Sequence, residues 1–500
     1  MAGKAFLAFD LGAESGRAVA GSLDGDRLEV RELSRFSNGI ASVRGHLHWD
    51  VILLLEEIER GLEICASEVT DRPEGVGIDT WGVDFALLAA DGSLLGFPYA
   101  YRDSRIEGAM EGFFQRLPRE RVYELTGVQL MPINTLYQLY SMVRDGSPLL
   151  EAASDLLFMP DLFSYLLSGE KRTEFTIAST SQLYNPVEGK WETELFDALG
   201  ISTGLMQEMV NPGTVVGSLD PEIGRRTGLG EVPVIATAGH DTAAAVAAVP
   251  AEGEDWAYIS SGTWSLMGVE SGEPIITQES LDCNFTNEGG AAGTFRVLKN
   301  VMGLWLLQQC RKAWGKDRLY SYEELTRMAA SAEHFDSLVE PDHASFLNPL
   351  DMPAAIRGFC ERTGQRPPET PGEFARCILV SLALKYRFVL DQLRQVSRRT
   401  IGRIHAVGGG TRNELLSQLT ADATGLPVIC GPVEAAAIGN LLVQAMALGQ
   451  VGSLDGIREV VRRSFPVTRY EPQRPGAWEG LYERFCELRQ ALGEAGGVDP

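Results

Sequence analysis

Asp241 sits in the stretch Ala238-Gly239-His240-Asp241-Thr242, just before the sequence midpoint. An apolar run, Val232 to Ala236, leads into it, and an alanine-rich run, Ala243 to Val249, follows. That order reads as strand, tight turn, helix, with one carboxylate at the turn. A carboxylate delivered at the end of a buried strand can act as a general base. The same position also suits an ordinary helix N-cap. A second acid, Asp10, closes the short apolar run Phe6–Asp10 and precedes Leu11-Gly12-Ala13-Glu14-Ser15-Gly16-Arg17. A glycine- and serine-bearing turn between two strands exposes backbone N–H groups that can cradle phosphate oxygens. Ser15 adds a hydroxyl and Arg17 a cation, and Asp10 is a candidate for holding Mg2+ through water. A plain hairpin with an arginine at its rim is the alternative.

The same pattern returns about 250 residues later. Trp256-Ala257-Tyr258-Ile259 leads into Ser260-Ser261-Gly262-Thr263, and Trp264-Ser265-Leu266-Met267-Gly268 follows. The echo predicts an internal duplication, two similar domains with nucleotide between them. Near the C-terminal end, strand Ile404–Val407 runs into Gly408-Gly409-Gly410-Thr411-Arg412-Asn413 and a helix over Glu414–Thr424. Three glycines there allow close approach to the backbone, although neither G-x-G-x-x-G nor a G-K-[ST] loop is present. Trp81-Gly82-Val83-Asp84 joins a ring to a carboxylate, which suits the apolar and hydroxyl faces of a sugar or, equally, a core tryptophan beside a turn aspartate. Tyr101-Arg102-Asp103-Ser104-Arg105 reads as a substrate cleft or a surface ion-pair network. The polar set Ser179, Thr180, Ser181 and Gln182 reads as solvated loop or cleft lining.

The elements that must carry these residues follow from periodicity. Phe6–Asp10, Ala18–Leu23 and Leu28–Phe36 read as strands. Val51–Val69 reads as an amphipathic helix with Ile52, Leu55, Ile58, Leu62 and Ala66 on its apolar face. Gly75–Phe85 reads as strand, glycine turn, strand. Asn134 or Thr135 opens a helix, and Met159-Pro160-Asp161 precedes another over Leu162–Leu167. Phe374–Val396 is long and amphipathic, and Gly439-Asn440 inside the helix Glu434–Leu448 points to close packing. Three strands, a helix, then a strand is the opening order of an actin-like (ribonuclease-H-like) ATPase domain. The expected fold is α/β, two actin-like domains flanking a catalytic cleft. The expected divisions are 1–245, 246–470 and a helical tail over 471–500.

Composition narrows the partners. The formal net charge of −24 argues against nucleic acid or an anionic membrane, which need a basic footprint. No run of about 20 apolar residues predicts a membrane span. The opening strand is too short for a signal peptide. Seven cysteines without a C-x-x-C read as buried thiols in a cytoplasmic chain, and the six histidines give no metal-binding pattern.

Taken together, the motifs resemble the FGGY carbohydrate kinase family. The residues that carry the resemblance are Asp10–Arg17, Gly77–Phe85, Tyr101–Arg105, Asn134–Gln138, Met159–Asp161, His240–Thr242, Ser260–Gly268, Asn284–Gly290, Val297–Gln308 and Val407–Gly410. The resemblance implies ATP-dependent phosphorylation of a ketose, with L-rhamnulose the substrate and O1 the acceptor. Another ketose or polyol kinase, of the fuculokinase or xylulokinase type, is the alternative, and a non-catalytic nucleotide-switched protein is a further one. The resemblance makes Asp241 the proton acceptor. It places Gly82, His240 and Thr242 at the sugar. It places Ala13, Glu14, Ser15, Gly16, Arg17, Thr263, Asn300, Gln308 and Gly410 at ATP, with Mg2+ as cofactor. Glu14 departs from the expected small or hydroxyl residue; its carboxylate repels phosphate unless it points outward or faces Mg2+. Cys360 and Cys377 match a spacing that some family members bridge, against which the cytoplasmic reading weighs. Monomer and dimer both stay open.

Overall fold

The computed structural model describes residues 3–316, 318–474 and 476–494. Two compact units emerge, each discontinuous in sequence. The first comprises Met1–Pro250, Glu270–Val297 and Glu434–Pro466; the second comprises Ala251–Val269, Leu298–Val433 and Val467–Pro500.

The first unit is built on six strands. They are β1 (Lys4–Leu11), β2 (Ser15–Asp24), β3 (Arg27–Ser37), β4 (Val76–Thr80), β5 (Thr214–Ser218) and β6 (Pro233–Ala236). Their order across the sheet is β5-β6-β4-β1-β2-β3. β1, β4 and β6 run parallel; β2 lies antiparallel to β1, and β5 to β6. Helix α1 (Val51–Glu68) starts where the Asp50 side chain accepts from the Leu53 amide, satisfying one of the free donors of the first turn. Its buried face is Val51, Leu54, Ile58, Leu62 and Cys65. The expected stripe is therefore rotated: Ile52 is 52% exposed. Two overlapping apolar patterns fit this segment, and the side chains of Leu7, Phe9 and Ala18 on the sheet select one. Helix α2 (Thr135–Arg144) has Asn134 at its N-cap, but the Asn134 amide is turned to the Gln129 carbonyl and Gln182. Helix α3 (Met159–Ser168) begins three residues before the expected Leu162, because Pro160 fits a first helical turn. Gly169, at φ +76°, ends it. Helix α4 (Asp241–Ala247) follows β6.

The second unit repeats the plan. Its strands are β7 (Trp256–Ser261), β8 (Trp264–Ser271), β9 (Phe295–Met302), β10 (Arg403–Val407), β11 (Val428–Cys430) and β12 (Thr468–Tyr470), in the order β9-β8-β7-β10-β11-β12. β7 pairs antiparallel with β8 and parallel with β10; β10 is parallel to β11, and β12 antiparallel to β11. Over these six strands, out of seven in the sheet, the order repeats that of the first unit, as the echo between the two hairpins predicts. Helices α5 (Trp305–Trp314), α6 (Pro371–Ser397) and α7 (Glu414–Thr424) belong here. On α6 the buried Lys385 pairs with Glu340 at 2.7 Å and Asp342 at 2.8 Å. Every cysteine carries a free thiol, including Cys360 and Cys377, which are both buried.

The chain then returns to the first unit as α8 (Ala435–Ala447) and ends in the second with α9 (Glu479–Glu494). α8 packs on α4 so closely that a Cβ on Gly439 would lie 1.8 Å from the Ala244 carbonyl oxygen. α9 lies along α6, with Tyr482 donating to Asp391 at 2.8 Å and Arg387 pairing with Glu479 at 2.8 Å. Within the expected tail, residues 475 and 495–500 lie outside the described residues. No described helix is long and apolar enough to cross a membrane.

Candidate active site

The turn bearing Asp241 is held from two sides within the first unit. On one side the Thr80 amide at the end of β4 donates to the Gly239 carbonyl at 2.9 Å. On the other, the buried Glu174 carboxylate accepts the Gly239 amide at 2.9 Å and the Thr176 hydroxyl at 2.5 Å. That hydroxyl in turn accepts the His240 amide at 3.1 Å. Burial raises the Glu174 carboxyl to about 7, against the lowering effect of these donors. Asp161, buried beside it, is also pushed up by burial and by Glu174. His240 occupies the N-cap of α4 without capping it, and Asp241 is the first helical residue. The ordinary cap reading of Asp241 is thus not what the fold uses. The Asp241 carboxylate accepts from the Thr242 hydroxyl at 3.2 Å and lies 3.5 Å from His240 Nε2. Its side chain keeps 31% of its surface open. Burial raises its proton affinity, His240 opposes that, and Asp10 adds to it.

Asp10 stands on β1 opposite Arg17 of β2 and Asp79 of β4. Arg17 grips one carboxylate oxygen, Oδ2, through Nε at 3.0 Å and Nη2 at 2.6 Å, and also pairs with Glu434. The hairpin tip is tied down by Asn38, whose amide donates to the Glu14 carbonyl and whose side chain donates to the Gly12 carbonyl. Glu14 is exposed, Ala13 and Ser15 half-buried, and Gly16 buried. Asp79 is fully buried and takes the Asn440 amide of α8 at 2.6 Å. Its carboxyl is held well above the usual range, first by burial and then by Asp10. Gln444, one turn along α8, donates to Asn440 and to the Leu7 carbonyl. Asp79, Asn440, Glu174 and Glu434 were not apparent as part of this group from the sequence; the Gly439-Asn440 pair was the one available signal.

Several side chains of the aromatic and charged stretches are held by interior hydrogen bonds. Asp84 is buried and accepts from the ring nitrogens of Trp49 at 2.6 Å and Trp81 at 3.0 Å, from Gln138 at 2.9 Å and from the Tyr101 amide at 3.2 Å. The two indoles pack with centroids 4.0 Å apart. Burial lifts the Asp84 carboxyl to about 6 despite these donors. Asp103 accepts the Leu47 and Arg105 amides, and the Arg105 guanidinium turns inward to Gln138 and Ser141. Ser179 to Gln182, expected as solvated loop or cleft lining, are buried and bond into the interior. Gly82 alone of the Trp81–Asp84 turn keeps appreciable surface. The next residue, Val83, is held at φ +67°, where a β-branched residue is strained. The Thr180 hydroxyl takes its amide, and its carbonyl takes the Thr135 hydroxyl.

In the second unit the residues expected at nucleotide gather around the β7–β8 turn. The Thr263 carbonyl accepts the Trp305 amide and the Gly262 carbonyl the Leu304 amide, so the turn is joined to the start of α5, the helix of Gln308. Gln308 Oε1 is buried without a hydrogen-bond partner. Asn300 lies on β9, half-buried. A Cβ on Gly410 would meet Ser261 Oγ at 2.0 Å, whereas one on Gly409 would meet nothing within 4 Å. Close approach at Gly410 is thus taken up by this unit's own hairpin, and the open face belongs to Gly409. Asp10, Arg17, His240, Asp241 and Thr242 come together in the first unit; Gly82 sits there on the Trp81–Asp84 turn, and Thr263, Asn300, Gln308 and Gly410 belong to the second.

Comparison with known proteins agrees with this plan. A protein of Bacteroides thetaiotaomicron named rhamnulokinase is 50% identical over 480 residues, covering 96% of this chain and 98% of its own. One of Pectobacterium carotovorum with the same name is 43% identical over 494 residues, covering 98% and 97%. A gluconate kinase from Lactobacillus acidophilus, 16% identical, superposes with a TM-score of 0.80 over 98% of each chain and shares the fold. The N-terminal domain model of the FGGY family of carbohydrate kinases matches residues 5–248 and the C-terminal domain model residues 257–448. With both domain models matched along most of its length, this chain belongs to the FGGY family of carbohydrate kinases.

Proposed function

We propose that the chain transfers the γ-phosphoryl group of ATP to O1 of L-rhamnulose, giving L-rhamnulose 1-phosphate and ADP. The observation that carries the choice of sugar is the 50% identity to a protein named rhamnulokinase across 96% of the chain. The fold cannot make that choice, since proteins named gluconate kinase and xylulose kinase share it.

Asp241 is the proton acceptor: it orients the O1 hydroxyl and takes its proton as the phosphoryl group transfers in line. Its open surface and raised proton affinity support this role. Gly82, His240 and Thr242 contact the ketose. The tip from Ala13 to Arg17 offers backbone donors to phosphate, and Glu14 is an exposed residue of that tip. Thr263, Asn300 and Gln308 bind the rest of ATP, with Gly410 contributing through the glycine turn whose open face is Gly409, and the unpaired Gln308 Oε1 is suited to accept from it. Mg2+, when bound with the nucleotide, supplies charge neutralisation at the transferring phosphoryl. Asp10 suits it through water, because both Arg17 bonds fall on Oδ2.

ADP release measured across L-rhamnulose, L-fuculose, D-xylulose, gluconate and glycerol tests the assignment. The highest kcat/KM is expected for L-rhamnulose, and a higher value for any other acceptor overturns it.

A further inference from the structure

His240 is enclosed by two buried charged residues. Arg296 is fully buried and directs Nη2 to His240 Nδ1 at 3.0 Å and to Glu288 Oε2 at 3.1 Å, while its Nε donates to the Gly289 carbonyl at 2.9 Å. The buried Glu288 carboxylate lies 3.3 Å from the same His240 nitrogen. On the far side of the ring, Nε2 faces Asp241 Oδ1 at 3.5 Å.

A guanidinium has only donors and does not lose its proton in a protein. At 3.0 Å from Arg296 Nη2, His240 Nδ1 is an acceptor in the tautomer that carries its proton on Nε2, whereas the other tautomer would donate from Nδ1 to Glu288. In the first of these the proton on Nε2 faces Asp241. Glu288 supplies the charge that a buried guanidinium requires; without it Arg296 would stand uncompensated against the ring. We propose that Glu288 and Arg296 are positioning residues that fix His240 in the Nε2–H tautomer and aim that N–H at the Asp241 carboxylate. The arrangement keeps Asp241 oriented with one oxygen turned to His240 and the other toward the acceptor hydroxyl. This inference rests on the reading of Asp241 as proton acceptor.

The test uses the full chain labelled with 15N-histidine, with long-range 1H–15N spectra of the rings and His240→Asn to assign the His240 signal among the six histidines. The wild type is expected to show His240 protonated at Nε2. Arg296→Met is expected to shift it toward Nδ1–H, donating to Glu288. In kinetics, Arg296→Met and Glu288→Gln are expected to lower kcat by about 10- to 100-fold, by analogy with the loss of a partner that orients a metal-bound histidine. KM for ATP is expected to stay within about 2-fold, and Arg296→Lys to recover part of the loss. A wild-type ring protonated at Nδ1, or a folded Arg296→Met with unchanged tautomer and kcat, overturns the proposal. If Arg296→Met does not fold, the isosteric Glu288→Gln carries the same two readouts, and wild-type behaviour in both overturns it. Near-normal turnover in Asp241→Asn overturns the base assignment instead; the tautomer spectra are read without turnover and separate the two failures.

Discussion

Asp241 differs from the acids around it in being both partly open and perturbed. Asp79, Asp84, Asp161 and Glu174 are buried, so their raised proton affinities reflect interior positions. Asp241→Asn is expected to lower kcat by at least about 10²-fold, the contribution of a positioned base, while isothermal titration still detects ATP binding. The pH profile gives a second check. A base must be ionised to act, so kcat falls on the acid side of its pKa. Because burial and Asp10 raise the Asp241 carboxyl, the acid limb of kcat should lie above the range of a free aspartate, and its loss in Asp241→Asn would assign it. Arg17 is expected at phosphate, yet its fork already binds Asp10 and Glu434. A phosphate arriving there meets a cation whose orientation is set by two carboxylates.

At the scale of elements, the contacts that matter are close approaches between backbones. Helix α8 reaches Asp79 and β1 through Asn440 and Gln444, and it does so because Gly439 lets it settle onto α4. Gly439→Ala places a methyl against the Ala244 carbonyl and should destabilise by about 1–3 kcal/mol, as overpacking does; a lowered Tm by calorimetry is the measurement. The triple glycine after β10 allows a paired experiment. Gly410→Ala collides with Ser261 of the β7–β8 hairpin and should lower Tm. Gly409→Ala meets no protein atom and should leave Tm within about 1 °C, since a surface methyl contributes little. A rise in KM for ATP in Gly409→Ala would mark the glycine that nucleotide approaches, and an unchanged KM would remove Gly409 from that role.

For the molecule as a whole, the two units share one strand order and divide the chemistry unequally. The penultimate residue of β1 is Asp10 and that of β7 is Ser260, so the duplicated hairpins retain a carboxylate on one side only. The first unit also concentrates acids lifted by burial, Asp84 to about 6 and Glu174 to about 7, with Asp79 and Asp161 raised as well. Acids of raised folded pKa bind more protons folded than unfolded between the two values. Their contribution is full below the ordinary carboxylate range, near 3.8 to 4.5, and is lost as pH rises to about 7. Glu288, with a lowered pKa, acts only below that window. Scanning calorimetry between pH 5 and 8 should therefore show the transition of the first unit falling as pH rises, and Glu174→Gln should flatten the slope. The hairpins, the strand order and the Asp241 turn were legible in the sequence because alternation, glycine turns and a following helix are local signals. The face of α1 was not, since two apolar stripes overlap and only the sheet beneath selects one. Nor did composition reveal that Asp84 is held by Trp49, which is 35 residues away. The sequence by itself determined which residue types arrive at strand ends. Only the tertiary structure decided which acids are sealed in and which remain open, because Asn440 meets Asp79 across 361 residues and Arg296 meets His240 across 56, separations that no local pattern encodes.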